Sequence, residues 1–253
     1  MAVRLPSIPP LWREGRAGIE AAALLRSPVW RGAGVTPGDR RPVLLIPGFL
    51  AGDGSLSTLT RWLRANGYCT RRAGMRVNVD CSEEACRRLE GRLEELAAGS
   101  GQRVALISQS RGGVFARVLA ARRPELVSGI VTLGAPTVSQ LDVHPVVLAH
   151  VAIIGALGVG GVPGLLTWSC LRGECCAEFR ADLDRSLDVP YVAIYSRSDG
   201  IVNWRACLDP AAELVEVRAS HLGMALNAEV YEEIAHALAR FAAPEERAWA
   251  EAA

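Results

Sequence analysis

The sequence predicts an α/β fold, a mostly parallel, twisted sheet covered by helices on both faces. Three observations carry this. The runs 43–46, 104–107 and 130–133 are apolar at nearly every position, as strands buried on both sides of a parallel sheet are. Segments of helical apolar spacing alternate with them, the order expected of strand–helix–strand units. The chain has 253 residues, 50% of them hydrophobic, enough for one large core in one domain.

The elements follow in order. Residues 1–41 are a preface. Ile19, Ala23 and Leu24 recur at helical spacing within 15–26, and Pro28 and the glycine- and proline-bearing stretch 32–37 stop that helix. This arm is expected to pack across the main domain, 42–253, within reach of a membrane or a substrate. The first buried strand ends at Pro47-Gly48. A helix over 57–65 is stopped by Asn66-Gly67. Residues 81–98 are amphipathic, with Leu89, Leu93 and Leu96 on one face. The strand 104–107 runs into a helix over 112–123 that ends at Pro124, and the strand 130–133 is followed by Gly134 and Pro136. After a long insert come two strand-like runs, 192–195 and 214–217. A closing helix over 230–241 then sets Val230, Ile234, Leu238 and Phe241 on one side. The Ala/Glu-rich end is expected to fray.

Composition excludes several functions. The formal net charge is +1, so no basic field draws nucleic acid. All 28 basic residues are arginine, which removes a phosphate-loop lysine, a Schiff-base lysine and a serine–lysine dyad. Pro6, Pro9 and Pro10, with Arg13, Glu14 and Arg16, interrupt any apolar leader. A cytoplasmic location is therefore the expectation, with peripheral membrane association or export left open. The run 146–171 has no Asp, Glu or Arg and could span a bilayer by length. Its Gly155, Gly158, Gly160, Gly161, Pro163 and Gly164 argue instead for a short helix followed by a loop.

The chemistry centres on Ser108-Gln109-Ser110-Arg111-Gly112-Gly113, between a buried strand and a helix. A nucleophile elbow needs that setting, with small residues two before and two after the nucleophile, here Ser108 and Gly112. The turn lifts Ser110 clear of the sheet and puts the Arg111 N–H at a helix N-terminus, where it can stabilise an oxyanion. The motif resembles the Gly-x-Ser-x-Gly elbow of the α/β-hydrolases, lipase- and esterase-like bacterial serine hydrolases among them, with Ser108 in place of the first glycine. The resemblance covers roughly 42–241.

That resemblance implies the α/β-hydrolase fold and further site residues. The loop Pro47-Gly48-Phe49-Leu50 is similar to the lipase loop that supplies the second oxyanion donor, here the Phe49 N–H, with Leu50 as the alternative. Of the four histidines, His221 occupies the loop after the last strand where the family carries its base; His236 lies in the closing helix, and His144 and His150 begin the insert. Ser196-Arg197-Ser198-Asp199-Gly200 looks like the acid turn, which makes Asp199 the carboxylate that orients His221. Family membership implies ester hydrolysis through an acyl-enzyme. Acyl transfer by the same triad, or a silent binding protein on this fold, are the alternatives. No metal and no organic cofactor is implied.

The insert, about 138–188, sits where the family carries a cap or lid. Val147, Val151 and Ile154, with Leu50 and Leu222, are the expected substrate-binding residues for a lipid-like or medium-chain acyl ester. A buried helix that merely packs on the sheet is the other reading of the insert. The seven cysteines match no zinc-ribbon spacing and have no histidine beside them. They read either as small buried hydrophobes or as disulfides, with Cys207 a candidate partner for Cys170, Cys175 or Cys176.

Overall fold

The computed structural model describes residues 8–172 and 175–251. Its helices are α1 (Ala17–Arg26), α2 (Ser57–Ala65), α3 (Ser82–Ser100), α4 (Arg111–Arg122), α5 (Pro145–Val159), α6 (Trp168–Arg172), α7 (Ala177–Leu183) and α8 (Ala228–Glu251). The strands β1 (Pro42–Ile46), β2 (Cys69–Arg72), β3 (Val104–Gln109), β4 (Val127–Leu133), β5 (Tyr191–Tyr195) and β6 (Glu213–Glu216) form one sheet in the order β2-β1-β3-β4-β5-β6. Every neighbouring pair is parallel; Val43 stands opposite Ala105 and Ile46 opposite Ser108.

The apolar runs are explained by two cores, one on each face of the sheet. Successive side chains of a strand point to opposite faces. Val43, Leu45, Ile107 and Val131 meet Leu24 of α1, Trp62 of α2 and Ile234 of α8. Leu44, Ile46, Leu106 and Ile130 meet Leu89 of α3, Phe115 of α4 and Phe179 of α7. β2 is the strand that the apolar pattern does not announce. It reads Cys69-Thr70-Arg71-Arg72, and both arginines are exposed where β2 forms the sheet edge; charged side chains there discourage edge-to-edge pairing. α8 continues to Glu251, through the stretch expected to fray. The expectations for residues 1–7 and for Ala252 and Ala253 lie outside the described residues.

The insert between β4 and β5 carries α5, α6 and α7. α5 has 15 residues and stops where Gly160 and Gly161 begin, and no described helix is long and apolar enough to cross a membrane. His144 caps α5: its Nδ1 accepts the Val146 N–H at 3.2 Å, and Pro145 takes the first helical position. α7 is tied to the sheet layer through Arg117. This buried arginine of α4 pairs with the buried Asp209 at 2.6 Å and donates to the carbonyls of Leu183 and Arg185.

Removing one partner of a buried ion pair leaves the other charge uncompensated. Asp209→Ala should therefore lower the unfolding free energy by about 3–5 kcal/mol in urea titration. Glu213→Ala, which breaks the exposed pair between Glu213 and Arg240, should change it by less than about 1 kcal/mol.

Candidate active site

β1 has β2 on one side and β3 on the other, so the chain winds away in opposite directions from the carboxyl ends of β1 and β3. Open parallel sheets form their binding crevice at such a point. Ser110 stands there, between the last residue of β3 and the first of α4, with φ 52° and ψ −126°. A non-glycine residue in this region is strained. Its N–H donates to Leu133 O and its carbonyl accepts from the Gly113 N–H, both at 2.9 Å. Gly112 admits no side chain: a Cβ would sit 2.5 Å from Ile46 O and 2.6 Å from Pro47 O. Ser108, in the place of the family's first glycine, is fully buried and donates its hydroxyl to Val131 O at 3.2 Å. That bond is why serine fits there.

Asp199 and His221, from the loops after β5 and β6, form a buried pair. His221 Nδ1 lies 2.7 Å from Asp199 Oδ2, and Asp199 Oδ1 accepts the N–H groups of Ile201 and Val202 at 2.8 and 2.7 Å. Gly134, just past β4, makes room for them. It has φ 56°, and a Cβ there would sit 3.0 Å from His221 Nδ1 and 3.1 Å from Asp199 Oδ2. Burial pushes the His221 pKa down, but the Asp199 charge and hydrogen bond, with the Glu14 charge, outweigh it, and the result stands above the usual 6.5. Gln109, next to Ser110, donates from Nε2 to His221 O at 2.8 Å. The histidine loop is thereby fastened to the serine turn.

The loop after β1 is held as tightly. Asn78 accepts the Leu50 N–H on its carbonyl at 3.2 Å, donates its own N–H to Ala51 O at 2.9 Å, and donates from Nδ2 to Pro47 O at 2.9 Å. The Leu50 N–H is thus already used, which removes Leu50 as the alternative oxyanion donor. Among the described residues the Phe49 and Arg111 N–H groups have no acceptor, and both residues line the cavity beside Ser110. The Arg111 side chain braces the same loop. Its guanidinium donates to Asn78 Oδ1, Asp80 O and Ser82 Oγ at 2.7, 2.6 and 3.1 Å, between the rings of Phe49 and Phe115. Burial pulls its pKa down to about 10, still charged at neutral pH.

The arm before β1 reaches into this site. Glu14 accepts the N–H groups of Gly200 and His221 on Oε1 at 2.8 and 2.9 Å and that of Leu222 on Oε2 at 2.7 Å. Glu20, buried in α1, takes the N–H and hydroxyl of Ser220 at 3.0 and 2.9 Å. Glu14, Glu20, Asn78, Gln109 and Gly134 escape sequence reading. Only Asn78 carries a local signal, a polar residue between two valines.

Ser110 and His221 open into one cavity of about 740 Å³. Leu50, Val147, Val151 and Leu222 line it as expected; Ile154 does not. It sits further along α5, where the Leu166 N–H bonds Val79 O at 2.8 Å and the two apolar side chains close over it. The thiols are all free. Cys207 packs with Val202 and Ala206, whereas Cys170, Cys175 and Cys176 gather with Cys81.

An NMR titration of the His221 ring should give a midpoint above 6.5. Removing either negative charge lowers the cost of the neutral ring, so Glu14→Gln should bring the midpoint down and Asp199→Asn should bring it down further. A midpoint unmoved by Asp199→Asn would contradict this electrostatic account.

No family model matches the sequence. Among solved structures, the mature Bacillus licheniformis lipase BlEst2 superposes with a TM-score of 0.57 at 16% identity, over 79% of this chain and 92% of that one. The Paleococcus ferrophilus monoacylglycerol lipase gives 0.55 at 16%, over 82% and 96%. A soluble variant of the Saccharomyces cerevisiae monoglyceride lipase gives 0.55 at 16%, over 82% and 89%. The expected architecture is thus matched along most of the sequence: this chain has the α/β-hydrolase fold.

Proposed function

We propose that the chain is a carboxylic ester hydrolase working through an acyl-enzyme on Ser110. One observation carries the reading: a strained serine and His221, paired with buried Asp199, face the same apolar cavity, beside two backbone N–H groups with no acceptor among the described residues. Ser110 Oγ attacks the ester carbonyl and His221 accepts its proton. Asp199 holds the ring tautomer and stabilises the imidazolium, and the Phe49 and Arg111 N–H groups receive the oxyanion. His221 returns the proton to the leaving alcohol, then activates the water that frees the acid. The similar solved structures named above include lipases, which supports the reaction class.

The cavity supports an apolar acyl group. Its size is that of a pocket for a drug-sized ligand, and Leu50, Val147, Val151, Phe179, Leu183 and Leu222 line it. Apolar side chains also stand exposed around the insert, among them Leu141, Leu148, Ile153 and Leu157. Exposed apolar side chains in this number favour contact with a lipid surface. The proposed substrates are lipid-like or medium-chain esters, met at such a surface by a cytoplasmic enzyme.

Hydrolysis of p-nitrophenyl esters from acetyl to palmitoyl tests this. The wild type should prefer chains longer than acetyl, and Ser110→Ala should lose activity on the order of 10⁶-fold in kcat. Because His221 must be neutral to accept a proton, kcat/KM should fall as pH drops through its raised pKa, with the acid limb centred above 6.5. Equal activity in wild type and Ser110→Ala would overturn the proposal. Transfer to an added alcohol in preference to water would make the enzyme an acyltransferase.

A further inference from the structure

Four cysteine sulfurs from two distant segments meet at the edge of the cavity. Cys81 comes from the residue before α3, Cys170 from α6, and Cys175 and Cys176 from the turn before α7. Their Sγ atoms all lie within 4.8 Å of one another. The 81–175, 81–176 and 175–176 separations are 3.7, 3.6 and 3.7 Å, and 170–175 is 3.2 Å. A zinc ion with four thiolates at 2.3 Å requires sulfur–sulfur edges of about 3.8 Å. Chain spacing hides the set, because 88 residues separate Cys81 from Cys170.

We propose that Cys81, Cys170, Cys175 and Cys176 form a closed tetrathiolate site for a single zinc ion, which pins α6 and the start of α7 to the start of α3. Three features around the sulfurs suit it. Thr167 points its N–H and its hydroxyl at Cys170 Sγ, each at 3.4 Å, the kind of outer hydrogen bond that orients a metal-bound thiolate. Cys81 is at the N-terminus of α3, a 19-residue helix, whose positive end faces the two net negative charges of such a site. The half-buried Arg111 guanidinium binds Asp80 O and Ser82 Oγ, on either side of Cys81. Cys175 is exposed while Cys176 is buried, so the ion has an entry side.

Binding breaks four S–H bonds and forms four S–Zn bonds; the protons and the ion's water go to solvent, and nothing is oxidised or reduced. With all four positions filled by protein, the ion has no open site for substrate and its role is structural. Cys170 and Cys176 also line the cavity, so the ion would hold one wall of the pocket in place. The site does not depend on the proposed hydrolase chemistry, because none of its ligands belongs to the triad.

Metal analysis of protein purified under reducing conditions, after incubation with zinc and gel filtration, should find about one zinc per chain. Replacement by cobalt(II) should give the intense visible bands of a tetrahedral thiolate complex. Cys81→Ser with Cys175→Ser should abolish both signals, and Cys69→Ser, on β2 outside the set, should leave them intact. Should the double variant fail to fold, the charge-transfer intensity of the wild-type cobalt spectrum still counts the thiolates. No retained zinc together with no cobalt bands would overturn the proposal. So would a cobalt spectrum of fewer than four thiolates, or full metal retention by a folded double variant.

Discussion

The structure depends on one backbone conformation, the positive φ of Ser110. A serine held at φ 52° and ψ −126° costs on the order of 1–3 kcal/mol, and it persists only where its surroundings allow nothing else. Those surroundings are specific. β3 passes into α4 with Ser110 alone between them, and α4 approaches the end of β1 so closely that only glycine fits at position 112. Ser110 is bonded through its N–H to the end of β4. The turn is therefore a product of the sheet order: β1 and β4 flank β3, and each contributes a carbonyl or a steric wall.

Around that turn, carboxylates and amides organise backbone that belongs to no strand or helix. Asp199 collects two N–H groups and the His221 ring. Glu14 collects three N–H groups from the loops after β5 and β6, and Glu20 secures Ser220. Asn78 does the same for the loop after β1. Hydrogen bonds to a charged acceptor are stronger than neutral ones, and Asp199 and Glu14 each fix three residues at once. The Asp199 and Glu14 charges raise the His221 pKa, so the groups that hold the histidine in place also set its basicity. The arm before β1 thus supports the site as well as covering the core.

Much of this was legible in the residues. The strands β1, β3, β4 and β5 are buried on both faces, so their apolarity is continuous, and α2, α3 and α8 show one-sided leucine and isoleucine spacing. The serine turn was legible because its small residues are forced by sterics. β2 was not, because an edge strand has polar side chains. Glu14 and Glu20 were not, because their partners are backbone N–H groups some two hundred residues away, and backbone partners leave no mark on side-chain identity. Ile154 lies off the cavity, and apolarity and location in the insert do not tell how far along α5 the cavity extends.

The insert has two halves of unequal attachment, and this bears on how an apolar substrate would enter. α7 is joined to α4 by Arg117, which donates to Leu183 O, and to α3 and α4 together through Arg122, which pairs with Glu83 at 2.9 Å and Asp182 at 2.6 Å. Phe179 packs edge-on against Phe115. α5 has only Ile154 and Gly155 buried, and it is anchored at its ends, through Val143 paired with Val202 and through the seam of Leu166 and Val79. Lifting α5 breaks few buried contacts, while moving α7 separates the half-buried Arg122–Asp182 pair and takes the Leu183 carbonyl from the buried Arg117 guanidinium. Val147 and Val151 on α5 and Phe179 and Leu183 on α7 line the same cavity. Local opening follows the least-buried element, so on the proposed function α5 would be the wall that yields and α7 the wall that stays.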